Sequence, residues 1–85
     1  MNPINLQLIF VDGSTRQVTA TAADLIAFES HFNLSVSVLA KDPRLTYMFY
    51  LGWAVDKRTK GTELSFEEWT ETISLVTEGA EEVKK

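Results

Sequence analysis

The sequence contains no cysteine, so no disulfide can staple the fold and no thiolate can hold zinc. That absence agrees with a reducing compartment. Histidine occurs once, at His31, and glycine four times, at Gly13, Gly52, Gly61 and Gly79. A lone histidine beside Phe32 is a poor beginning for a metal centre, and a surface place at the negative end of a helix is the expected one. The glycines are too scattered for a phosphate-binding loop. There is no EF-hand spacing, no His-x-x-x-His and no Gly-x-Ser-x-Gly. Neither a cofactor nor a metal is expected, and an enzyme is the least expected class. Basic residues are the minority, 8 against 12 acidic, for a net charge of −4. Such a balance opposes binding to a phosphate backbone, so nucleic acid is not expected as a partner. No apolar run approaches the ~20 residues that span a bilayer. Met1 to Phe10 carries no Lys or Arg, so no secretory signal and no membrane partner are expected.

What is present is enough for one small soluble domain. The 85 residues are 45% hydrophobic and 11% aromatic, although a chain this short buries only about 60–65% of its unfolded surface. Charge is uneven along it. Lys41, Arg44, Lys57, Arg58 and Lys60 lie mid-chain, and Glu63, Glu67, Glu68, Glu71, Glu78, Glu81 and Glu82 follow without a basic residue among them. Solvated helix faces are the plain reading; a dipolar surface that steers a partner or self-associates is the sharper one.

Periodicity predicts an α+β domain over residues 1–77, with an N-terminal β-hairpin followed by about three α-helices. Ile4, Leu6, Leu8 and Phe10 alternate with their neighbours as a half-buried strand does. Asp12-Gly13 marks the turn, and Thr15 to Thr21 gives a second strand. Thr21 and Asp24 open a helix with Leu25, Phe28 and Phe32 on one face, ending near Asn33. Residues 33–41 alternate weakly and stay ambiguous between a short strand and a loose connection. Asp42-Pro43 predicts an N-cap and first turn for a second helix, apolar almost all round. Gly52 inside it costs ~1 kcal/mol relative to Ala, which implies close packing by another element. Ser65-Phe66-Glu67-Glu68 is a capping box, and Phe66, Trp69, Ile73 and Val76 then predict a third helix by their spacing. Residues 78–85 read as a charged, flexible tail.

Aromatic residues concentrate in the second half, beyond what so small a core can bury, which predicts an exposed patch that meets a protein partner or another copy of the chain. Tyr47, Tyr50, Leu51, Trp53 and Trp69 are the candidate contact residues, with the basic stretch from Lys57 and Arg58 to Lys60 orienting the partner.

In their order, these pieces resemble the small tail assembly chaperones of long-tailed, siphovirus-type bacteriophages, especially those of actinobacterial hosts. The residues that carry the likeness are the Asp12-Gly13 hairpin, Asp24 with Phe28-Glu29-x-x-Phe32, Leu51-x-Trp53-Ala54 with Lys57-Arg58, and Phe66-x-x-Trp69 with Ile73 and Val76. The likeness covers roughly residues 6 to 77 and departs from the family at Gly52, where another helix former is more usual. It implies a holdase for the tape measure protein that acts in the host cytoplasm during virion morphogenesis and is absent from the mature virion. It also implies a longer form made by programmed frameshift near the end of the gene, for which Lys84-Lys85 offers an A-rich codon pair. Two other classes stay open. One is a structural head–tail connector or completion protein of the particle, and the other is an acidic inhibitor that mimics DNA.

Overall fold

The computed structural model describes residues 4–42 and 44–78. Strands β1 (Ile4–Phe10) and β2 (Thr15–Ala20) are followed by helices α1 (Ala22–Phe32), α2 (Val38–Lys41), α3 (Leu45–Arg58) and α4 (Phe66–Thr70), and strand β3 (Ile73–Glu78) closes the described chain. The class is α+β with the hairpin at the N-terminal end. The sheet is antiparallel throughout, in the order β2-β1-β3.

The hairpin forms where its turn chemistry places it. Gly13 takes φ 94°, and the Asp12 carboxylate accepts both the N–H and the hydroxyl of Ser14, at 2.9 and 2.6 Å. Alternation then sends Leu6 and Leu8 of β1, and Ala20 of β2, onto one face, where α1 and α3 bury them. Helix α1 opens with the Thr21 N–H donating to Asp24 Oδ2 at 2.9 Å and stops at Asn33, whose φ of 57° is left-handed. Helix α3 starts later than Asp42-Pro43 implies. Arg44 takes the N-cap position, Asp42 instead accepts from Arg44 Nε at 2.8 Å, and Pro43 lies outside the described residues.

The C-terminal third corrects the sequence reading. The capping box of Ser65 and Glu68 is formed, but its helix runs only five residues, to Thr70. Beyond it, Ile73, Val76 and Thr77 are β-branched, and the segment pairs as a strand with β1. Leu75 stands opposite Ile9 while Ile73 stands opposite Phe10, leaving Ser74 as an extra, bulged residue. The bulge is why Ile73 and Val76, three apart, both face the core and imitate helical spacing. Glu78 belongs to this strand, and the rest of the predicted tail, residues 79–85, lies outside the described residues.

The core comprises Leu6, Leu8, Ala20, Leu25, Phe28, Leu51, Val55, Trp69, Ile73 and Val76. Each large member contributes about 1.5–3 kcal/mol by leaving water. Gly52 sits where α3 packs closely against the sheet and Trp69. A Cβ there would lie 3.0 Å from Leu8 Cδ2 and 3.2 Å from the Trp69 ring.

Candidate partner-binding site

Two features of the helical side of the molecule can receive a partner, and α3 contributes to both. The first is a band of rings. Phe32 of α1 meets Tyr47 and Tyr50 of α3 edge-on, at centroid distances of 5.1 and 5.3 Å. His31 lies flat on Tyr50 at 4.2 Å. Trp53 meets Tyr50 at 5.6 Å and Phe66 of α4 at 5.7 Å. Edge-to-face and offset pairs of this kind each add about 0.5–1.5 kcal/mol beyond burial. Apart from exposed His31, these rings are half-buried. They present apolar faces to solvent while already held by one another, which lowers the entropy lost when a partner covers them.

The second feature is an apolar groove of about 680 Å³ at the edge of the helical layer. Leu25 of α1, Met48 and Leu51 of α3, and Ile4, Leu6 and Val76 of the sheet line one part of it. Val36, Leu39 and Ala40, in and just before α2, line another, with Leu45. Among the described residues Glu78 is the single charged one in the lining. No residue of α2 is buried. A backbone N–H of this region is anchored from α1, where the Glu29 carboxylate accepts from Val36 at 2.8 Å.

The structure divides the predicted contact residues. Tyr47, Tyr50 and Trp53 lie in the ring band, and the exposed Lys57 ammonium sits 5.5 Å above the Trp53 ring. Leu51 and Trp69 are core residues, fully or almost fully enclosed, and are corrected as contact residues. Leu51 reaches the groove only as part of its lining. The Trp69 indole N–H donates to Asp56 Oδ2 at 2.9 Å, a contact inside the protein. Arg58 is also engaged within the chain, where its guanidinium spans both carboxylate oxygens of Asp24 at 2.8 Å. Lys57 and Arg58 belong to the last turn of α3, where positive charge suits the helix dipole.

The sequence places Asp24 at a helix start without revealing its burial or its pairing with Arg58, and it gives no notice of buried Asp56 or of the groove residues Val36, Leu39 and Met48. Asp56 accepts from Arg16 of β2 through both carboxylate oxygens at 2.8 Å as well as from Trp69. Burial pushes the Asp24 carboxyl up. Hydrogen bonds from Arg58 and Thr21 and the nearby guanidinium charge outweigh it and hold the pKa below the usual value. The signal for Asp56 was its place four residues after Gly52, on the packed side of an apolar helix. The signal for Val36 and Leu39 was an apolar stretch with no assigned face.

Among the described residues no group of three or more His, Asp or Glu is placed to hold a metal ion, and no helix is long and apolar enough to cross a membrane. The site offers surface complementarity and largely apolar contact. Comparison with protein-family models, with curated proteins and with solved structures gives no match for this chain.

Proposed function

We propose that this chain is a tail assembly chaperone of a long-tailed bacteriophage, which holds the tape measure protein in the host cytoplasm until the tail tube forms around it. The observation that carries the reading is the groove of about 680 Å³, apolar among the described residues except for Glu78. An amphipathic helix of the client would lay its apolar stripe there, in the helix-in-groove mode. The ring band beside it would extend the contact, with Lys57 free to meet client carboxylates at the rim. A holdase needs no catalytic constellation, no cofactor and no membrane attachment. The order of motifs from Asp12 to Val76 supports the same reading through its resemblance to that family.

Co-expression with the tape measure protein of the same genome tests it. The native chain is expected to keep the client in the soluble fraction and to co-purify with it. Leu39→Asp, a charge placed in the groove wall at a half-buried position, is expected to lose both effects while the variant keeps its native circular dichroism. A client that remains insoluble beside the native chain would end the proposal. Mass spectrometry of purified virions separates it from the connector reading, which requires the chain in the particle.

A further inference from the structure

Among the described residues, the helices cover one face of the sheet and nothing covers the other. The alternation that turns Leu6, Leu8 and Val76 inward turns another set of residues outward, and the strand register fixes their layout. Thr15, Ile9 and Leu75 form one row across the three strands, Gln17, Gln7 and Thr77 the next, and Thr19 with Asn5 the last. Val11 continues the central column beyond Ile9, and its N–H keeps the ladder by donating to Thr72 at 3.0 Å. None of these nine residues is charged, in a chain where 24% of residues are. Arg16 is turned to the opposite side, where it pairs with Asp56.

The face is also graded. Val11 is 66% exposed and Leu75 37% exposed, and with half-buried Ile9 they make one apolar cluster at the hairpin end. Gln7, Gln17 and Thr77 flank that cluster on the strand side, and the turn with Asp12 lies beyond it. Aliphatic contact beside uncharged polar side chains suits a small protein interface.

We infer that this open sheet face docks a second copy of the chain. Charge does not oppose that occupant here. Each copy carries a net charge of −4, so two copies meet with least repulsion through a surface without charged side chains, and the nine residues of this face meet that condition. A basic partner would gain nothing from it. Geometry agrees with a two-fold axis lying between the sheets and running along the strands. That axis places β1 over its counterpart, so Ile9 and Val11 meet their own copies, and it places β3 of one chain over β2 of the other, so Leu75 meets Thr15. Facing sheets in this arrangement stack about 10 Å apart. At strand spacings near 4.8 Å and about 3.3 Å per residue, the face covers roughly 300 Å² in projection and on the order of 500 Å² of accessible surface per copy. The pair therefore buries about 1,000 Å² in total, the lower bound for a specific interface, and the dimer is a weak, reversible one. The inference is independent of the client groove, which lies on the other side of the sheet.

Sedimentation equilibrium of the full chain from micromolar to millimolar concentration tests it. The expected result is a monomer–dimer equilibrium that tightens modestly with added NaCl, as the like net charges of the two copies are screened. Ile9→Lys sets two lysines against each other across the axis and is expected to weaken dimerisation at least tenfold. Gln7→Lys removes no apolar contact, should leave the fold intact and is expected to weaken it similarly, with partial recovery in high salt. A chain that stays monomeric at millimolar concentration overturns the inference. So does a Gln7→Lys dimer as tight as the native one, which would move the interface to the ring band, the groove or a strand edge.

Discussion

Among the described residues Asp24 and Asp56 are the two charged ones that the fold buries, and each is met by an arginine from a distant part of the chain, Arg58 and Arg16 respectively. Both arginines keep part of their side chains in water, so each pair is half-solvated and avoids the full desolvation cost of a buried ion pair. Because the folded pKa of Asp24 lies below its ordinary value, its contribution is complete above about pH 4 and is lost as pH falls through the folded pKa. Asp24→Asn is therefore expected to lower the urea midpoint at pH 7. The gap from the native protein should narrow near pH 3, and equal gaps at both values would contradict this account. Glycine acts at the same scale by making room. Gly61 is exposed, yet a Cβ there would collide with Asp56 Oδ1. At Gly52, alanine gains ~1 kcal/mol of helix propensity. Its methyl also pushes into Leu8 and Trp69, which are enclosed and cannot yield, at a typical overpacking cost of about 1–3 kcal/mol. Gly52→Ala is expected to be net destabilising by about 1 kcal/mol in urea unfolding; a more stable variant would show that the helix can retreat from the sheet.

Elements differ in how plainly the sequence states them. The hairpin, α1 with its Thr21 and Asn33 ends, and the packed position of Gly52 all follow from local chemistry, and local chemistry is visible in a single chain. The change from α4 to β3 depends on β1, nearly seventy residues away, and on a bulge at Ser74 that lets two residues three apart share a face. Spacing alone cannot separate that arrangement from a helix. Candidate contact residues divide along the same line. Tyr47, Tyr50 and Trp53 face outward beyond the core side of α3, whereas Trp69 and Leu51 are enclosed by elements their neighbours in sequence do not reveal. The groove escaped notice because its walls come from both outer segments and the middle of the chain. Since β3 supplies Ile73 and Val76 to the core, a chain ending at Thr72 is expected to be unfolded by circular dichroism and amide dispersion. A native-like spectrum from it would make β3 an accessory strand.

At the scale of the whole molecule, a one-sided sheet gives the protein two unlike surfaces. One side carries rings, a groove and most of the charge, and the other carries threonine, glutamine and a small aliphatic cluster. The proposed client and a second copy would thus be accommodated at once, without competing. A weak dimer would present two grooves on opposite outer sides, so two client helices held together would gain from raised local concentration.

The central place of β1 carries a further consequence, for the order of events during synthesis. The first described strand emerges from the ribosome early and pairs at once with β2, but its other edge must wait for Val76, which stands opposite Leu8. Closing a loop of that length has an entropic cost, which the earlier contacts of α1 and α3 with β2 offset only in part. Until β3 arrives, Leu8 and the underside of α3 lack their cover, and the newborn chain resembles the kind of half-exposed polypeptide it is proposed to protect.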